Sequence, residues 1–436
     1  MSSILLWVQL MSLAGKLRGS SGGMLIGAVF TSAAQASKIL VGFCVLKLIA
    51  LYLGADGLGK LGHFMSLVSI TVLLAGGGIS HGVIKYVAEF KDSRFKLYKL
   101  FSTSIFYAFG FCLVSFVLLI VFSGKISMFV FGQSESYWVI VLLAFTQFIF
   151  AFNIVFSGFF NGLGKLKVNA SVQVVSNIFV LPIIWWLISS FGLPGAAIAM
   201  LSMFTMPAFI SFFFLKGMPI FRMIKWQKFD VALGKNFSRF GLMLLVSALM
   251  FPVVEIVIRE SLITQVGYTQ AGIWQGSIKL SSAYIGFFSV FLASYYMPMV
   301  SSTYDKSVIK MQVMKFMLLV MAAFLVGGSV LYLGRSFFIP ILLSSEFHEL
   351  EGYIIYQLIG DFFKVSAYVV GFVVVAKAAT KLYILSEVLQ ALLFVGLTFS
   401  VGREVGGVYG VMYAYMLAYI IFFVISIVGF IYWARN

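Results

Sequence analysis

The chain has 436 residues, of which 62% are hydrophobic and only 10% charged, with a mean hydropathy of +1.07. Soluble domains carry about a quarter charged residues, so a water-soluble fold is excluded, and the length leaves no room for an appended soluble domain. A formal charge of +16 would suggest nucleic acid in a soluble protein. In a membrane chain, however, basic residues collect in loops and set orientation, so no nucleic-acid partner is expected.

Residues 1–23 read as an interfacial lead-in or as sequence upstream of a start at Met11 or Met24, because the charges Lys16 and Arg18 follow the apolar run rather than precede it. From there, cutting at Gly, Pro and charge clusters predicts an all-α polytopic membrane fold of about twelve spans of roughly 20 residues or more. Their bounds are 26–53, 62–89, 100–124, 137–162, 168–190, 195–216, 237–261, 273–299, 312–334, 350–376, 381–401 and 407–433. Lys and Arg number 21 on the side of the two termini and five on the other, which places both ends in the cytoplasm. Gly76-Gly77-Gly78 lies in no strand-to-helix turn and reads as a close helix contact. Pro182, Pro207 and Pro252 fall inside spans as bends.

The two halves repeat. Gly192-Leu-Pro-Gly195 recurs as Gly407-Val-Tyr-Gly410 at an offset of 215, and at an offset of 214 Lys167, Gln173 and Gln147 fall on Lys381, Glu387 and Asp361. Six spans is an even number, so the copies enter the membrane in one direction and are related by a pseudo-two-fold axis along its normal. The expected division is an N-lobe at 24–216, a cytoplasmic linker at 217–236 and a C-lobe at 237–436.

Charges within spans cost at least about 2.5 kcal/mol at a helix centre. Lys38, Lys47, Lys279, Lys364, Glu255, Asp361 and Glu387 therefore each need a reason to be there. Gln35 and Lys38 share a helix face with Gly42, while Lys47 is the better placed to snorkel. Tyr353, Gln357, Asp361, Lys364 and Tyr368 form one stripe, in which Asp361 and Lys364 can neutralise each other. Gln275, Lys279 and Ser282 form another behind Trp274, and Tyr383, Glu387 and Gln390 a third. Glu255 and Arg259, four apart, can pair on their own helix. The bland alternative for such pairs is that they only make insertion tolerable. Cys44 and Cys112 lie in apolar runs, and His63, His81 and His348 are scattered. No metal site or cofactor is expected.

Several stretches resemble the Wzx-type flippases of lipid-linked oligosaccharides, nearest the branch that handles enterobacterial common antigen. They are Gly54-Ala-Asp-Gly-Leu-Gly59, Gly82-Val-Ile-Lys85-Tyr-Val-Ala88, Gly272-Ile-Trp-Gln-Gly276, Gln357-Leu-Ile-Gly-Asp361-Phe-Phe-Lys364, Val375-Ala-Lys377-Ala and Tyr383-Ile-Leu-Ser-Glu387. The resemblance covers nearly the whole chain from about residue 25. It implies the multidrug/oligosaccharidyl-lipid/polysaccharide exporter fold, two six-helix lobes around a cavity, in a bacterial inner membrane. The implied substrate is an undecaprenyl-pyrophosphate-linked glycan. The implied partners are membrane lipid and the glycan polymerase with its chain-length regulator. On this reading Lys38, Lys47, Lys279, Lys364, Gln35, Trp274, Gln275, Gln357 and Tyr368 line the cavity, and Glu255, Asp361 and Glu387 couple transport to an ion, a proton among the candidates. Ser282, where some relatives have an acid, and the added charge of Lys279 depart from the pattern. Rival readings are a drug/cation antiporter on the same fold, disfavoured by four buried lysines, and a periplasmic O-antigen polymerase or ligase, disfavoured by short loops. A peptidoglycan-precursor flippase would carry two further spans.

Overall fold

The computed structural model describes residues 20–214, 230–377 and 379–435; the lead-in up to residue 19 and the linker from 217 to 229 lie outside them. Ten helical stretches are long and apolar enough to cross a bilayer. Two of these, 166–213 and 248–302, are 48 and 55 residues long. At ~1.5 Å per residue, each exceeds twice the ~30 Å hydrocarbon thickness. Each breaks at a glycine with positive φ, Gly192 at 59° and Gly267 at 85°, a conformation that residues with a Cβ rarely adopt. There the chain folds back. Arg259 and Gln275, which a straight helix would hold ~24 Å apart, are hydrogen-bonded across the second break.

Among the described residues, about twelve passes result. Spans 1 to 4 are Ser20–Tyr52, Gly54–Ala75 with its extension Ser80–Phe90, Arg94–Val121 and Tyr137–Gly162. Spans 5 and 6 occupy 166–191 and 193–214, and spans 7 and 8 occupy 231–266 and 268–302. Spans 9 and 10 are Lys306–Leu333 and Leu350–Ala376. Span 11 runs from Thr380 through a π turn at Thr398–Gly402, and span 12 is Gly407–Arg435. Span 8 carries a second π turn at Leu292–Tyr296. Gly76-Gly77-Gly78 differs from the expected continuous helix. It breaks span 2, with φ of 53° at Gly77 and 69° at Gly78, and a Cβ on Gly78 would lie 2.4 Å from the Gly241 carbonyl oxygen of span 7. The triplet is therefore both a close contact and a break.

The duplication is visible in the backbone. Gly192 and Gly407 have φ of 59° and 57°. A Cβ on Gly195 would sit 2.0 Å from the oxygen of Leu187, and one on Gly410 the same 2.0 Å from that of Gly402. The ends of spans 4 and 10 carry matching bonds at an offset of 214: Lys165 N to Phe160 O, and Ala379 N to Val374 O. Between the lobes, spans 2 and 8 cross at glycines. A Cβ on Gly59 would be 2.0 Å from the Tyr268 oxygen, and one on Gly272 1.8 Å from the Ala55 oxygen. An offset of 213 relates Ala55 to Tyr268 and Gly59 to Gly272, so the two contacts exchange under the pseudo-two-fold axis, as in an isologous interface. Spans 3 and 9, equivalent in the two lobes, expose Leu113, Val114, Val117 and Val121, and Leu318, Leu319, Leu325 and Val326. In a bilayer such apolar faces meet lipid.

Candidate functional site within and between the lobes

Lys38 stands in the middle of an apolar helix, and its side chain is exposed, as is that of Gln35 three residues before it. An ammonium at that depth needs water or a polar partner. Behind it, Asn177 Nδ2 of span 5 donates to Ser37 Oγ at 2.9 Å, which fixes span 1 against its own lobe. Lys47 has another position. Its Nζ donates to the Pro340 carbonyl of the C-lobe at 2.7 Å, at the membrane face opposite the termini. Expected in the cavity, Lys47 instead ties one lobe to the other. Near it, a Glu346 Oε2 of the C-lobe accepts from Ala55 N at the start of span 2 at 3.0 Å, where a carboxylate complements the helix dipole.

A polar network joins the lobes below that contact. Arg259, fully buried on span 7, donates to Gln275 Oε1 of span 8 at 2.7 and 3.2 Å and to Ser66 of span 2 at 3.3 Å. It approaches Glu255 at 3.6 Å and lies 5.9 Å from the Trp274 ring. Arg259 Nη1 is 3.4 Å from His63 Nδ1, and His63 Nε2 is 3.0 Å from Glu260. A guanidinium only donates. Nδ1 therefore accepts, and Nε2–H donates to the carboxylate. Gly62 makes room: a Cβ there would be 2.3 Å from Arg259 Nε. Glu255 also accepts from Ser66 at 3.2 Å and pairs with Lys279 at 3.7 Å. Lys279, about a third exposed, reaches open space. Trp274 and Gln275, expected as cavity lining, are buried as the support of Arg259.

A second network lies inside the C-lobe. Asp361 is completely buried and accepts from Tyr284 Oη of span 8, Tyr415 Oη of span 12 at 2.6 Å and Gln357 Nε2 at 3.3 Å, with Ser281 as a further partner. Gln357, itself buried, accepts from Ser277 at 3.3 Å. Lys364 Nζ donates to Tyr415 Oη at 3.2 Å. It faces the rings of Phe251, Tyr415 and Tyr419 at 5.0, 5.5 and 4.7 Å. Asp361 and Lys364 make no ion pair within 4 Å; the Tyr415 phenol bridges them, and the opposite charges still act on each other. Lys364, only 7% exposed, faces the lobe core.

Between spans 8, 10, 11 and 12, on the side of the termini, a cavity of about 610 Å³ is bounded by Tyr368, Lys377, Tyr383, Glu387, Gln390 and Trp433. Tyr383 hydrogen-bonds Glu387. In the N-lobe, Gln147 at the position of Asp361 is buried and satisfied by Ser115 and the Ala144 carbonyl, at 2.5 and 2.9 Å. Sequence reasoning missed Gly62, His63, Ser66, Tyr284 and Tyr415. A His-x-x-Ser pair on one helix face was the available signal for two of them.

No family model matches the chain. The lipid III flippases of Escherichia coli (strain K12) and Shigella flexneri are each 31% identical to it over 366 residues, covering 83% of this chain and 87% of theirs. An inward-facing multidrug resistance MATE family transporter of the MOP superfamily superposes with a TM-score of 0.75 at 16% identity, over 92% of this chain and 96% of that one. The lipid II flippase MurJ in an inward closed conformation superposes with a TM-score of 0.70 at 14% identity, over 93% and 87%. At these identities the two structures establish the shared two-lobe fold.

Proposed function

The chain belongs to the lipid III flippase family, and from that premise we propose that it moves an undecaprenyl-pyrophosphate-linked oligosaccharide from the cytoplasmic to the periplasmic leaflet. The glycan is of the O-antigen-unit or enterobacterial-common-antigen type. The chain is an integral inner-membrane protein; the excess of Lys and Arg on the side of the termini supports the assignment of that side to the cytoplasm. The N-lobe is taken as 24–216, the linker as 217–236 and the C-lobe as 237–436. The physical task is to pass a diphosphate and its sugars through hydrocarbon while the polyprenyl tail stays in lipid. Rocking of the two lobes about their shared axis performs it without covalent chemistry.

The observation that carries this reading is the exposed Lys38 at mid-span. An ammonium held at that depth in a wet concavity, with Gln35 beside it and Lys279 on the other lobe, offsets the diphosphate charge. Tyr368 offers an aromatic face at the C-lobe cavity, and Trp274, Gln275 and Gln357 hold the surrounding helices. Glu255, Asp361 and Glu387 supply the coupling charges. The polymerase and chain-length regulator that act on the exported glycan are the expected protein partners. The test is expression in strains lacking individual flippases, with surface glycan and accumulated lipid-linked intermediate measured. The wild-type chain restores the glycan in one such strain, and Lys38→Ala, inserted normally, does not. Restoration by no strain overturns the reading, and full rescue by Lys38→Ala removes Lys38 from the pathway.

A further inference from the structure

We propose that the C-lobe holds a monovalent-cation seat at Asp361 and that Lys364 permanently fills it with its own tethered ammonium. The seat is three aromatic faces and one phenol oxygen. Phe251, Tyr415 and Tyr419 present their rings to Nζ at 5.0, 5.5 and 4.7 Å, and Tyr415 Oη lies at 3.2 Å. Ring faces carry negative potential and recognise ammonium groups.

The charge on Asp361 reaches this cation through one atom. Tyr415 Oη gives its proton to the carboxylate at 2.6 Å and turns its lone pairs to Lys364. Tyr284 and Gln357 direct further protons at the same carboxylate. Ser281 is a further hydrogen-bond partner of Asp361, so donors from spans 8, 10 and 12 gather on the carboxylate. The other carboxylates acting on Lys364 are Glu387 and Glu255; Glu255 already has Arg259 and Lys279 within 4 Å.

The duplication states the same pairing independently. At the offset of 214, Asp361 corresponds to Gln147 and Lys364 to Phe150, both buried. Acid and ammonium occur together in one lobe and are both missing from the other. A lysine serving the substrate would have no reason to follow the acid. At 7% exposure, Lys364 is also withdrawn from any head group.

This assignment refines the proposed function by taking Asp361 out of exchange with an external ion and leaving that role to Glu255 and Glu387. It rests on that reading only for its bearing on transport, since the test reads cation binding alone. Full-length protein in detergent is melted in sodium chloride and in equimolar choline chloride, with methylammonium and ethylammonium chloride as further probes. The wild-type midpoint is equal in sodium and choline salts. Lys364→Ala lowers the midpoint, and sodium or a small alkylammonium raises it saturably, whereas choline, too large for the seat, does not. Lys364→Met fills the space and gives no response, and Asp361→Asn combined with Lys364→Ala abolishes it. A folded Lys364→Ala protein indifferent to every small cation overturns the proposal. So does a saturable sodium response of the wild type that Asp361→Asn abolishes, a measurement that stands even if the alanine variant fails to fold. Loss of glycan export with these cation responses intact would count against the flippase reading alone.

Discussion

Arg259 has no solvent contact and several partners drawn from three spans of both lobes. Removing one member of a buried pair leaves the other charge without compensation, at a cost of roughly 3–5 kcal/mol. Arg259→Met is therefore expected to lower stability by about that amount, read as a fall in the detergent melting midpoint; an unchanged midpoint would show that Glu255 finds enough in Lys279. The charged residues of this region were legible in the sequence because a charge in an apolar run stands out. Their partners were not. Tyr284 and Tyr415 reach Asp361 from helices 77 and 54 residues away, and a tyrosine among twenty gives no sign of which partner it meets. Spacing gave no sign of the Pro340 carbonyl that Lys47 meets or of the rings around Lys364. It places a side chain on a face without saying what that face packs against.

At the scale of the helix, glycine governs how closely the two lobes meet. Spans 2 and 8 touch backbone to backbone at Gly59 and Gly272, where an added Cβ would fall 2.0 and 1.8 Å from a carbonyl oxygen. Gly272→Val forces those helices apart. The expected result is a destabilisation of about 1–3 kcal/mol, typical of overpacking, with loss of glycan export in the complementation assay. Gly286→Ala serves as the contrast, since its nearest neighbour, Ile39 Cδ1, is 3.8 Å away. Equal export by both variants would remove the crossing from the mechanism. The hairpins between spans 5 and 6 and between 11 and 12 were legible in the sequence, because only glycine serves at a positive φ and the motif occurs twice. The crossing glycines were not, because nothing in Gly54-Ala-Asp-Gly-Leu-Gly59 says which backbone will approach.

For the molecule as a whole, two hydrogen bonds help to close the face opposite the termini. Lys47 to the Pro340 carbonyl and Glu346 to the Ala55 amide both cross between lobes. Removing both with Lys47→Met and Glu346→Gln weakens that closure. A Leu58→Cys label site, buried on span 2, should then react severalfold faster with a membrane-impermeant maleimide, in a background with Cys44 and Cys112 replaced. An unchanged rate would assign the closure to the glycine crossing instead.

The end of span 11, from the π turn at Thr398–Gly402 to Gly406, also records the descent of the two lobes. The bond from Leu163 N to Phe159 O matches that from Lys377 N to Val373 O at an offset of 214, while the hairpin glycines Gly192 and Gly407 match at 215. From 166 to 191 the N-lobe copy runs as unbroken helix, while its C-lobe counterpart has two places for the added residue, the π turn and Gly406, a non-helical glycine with φ of 85° just before Gly407. An i→i+5 turn takes in one residue more than an α-turn, and span 11 has its π turn there. After the copies separated, the C-lobe copy is one residue longer here, whether by insertion into it or by deletion from its twin. Confined to the last turns before the hairpin, that change left the earlier register intact, and Glu387 still stands where its sister helix keeps Gln173.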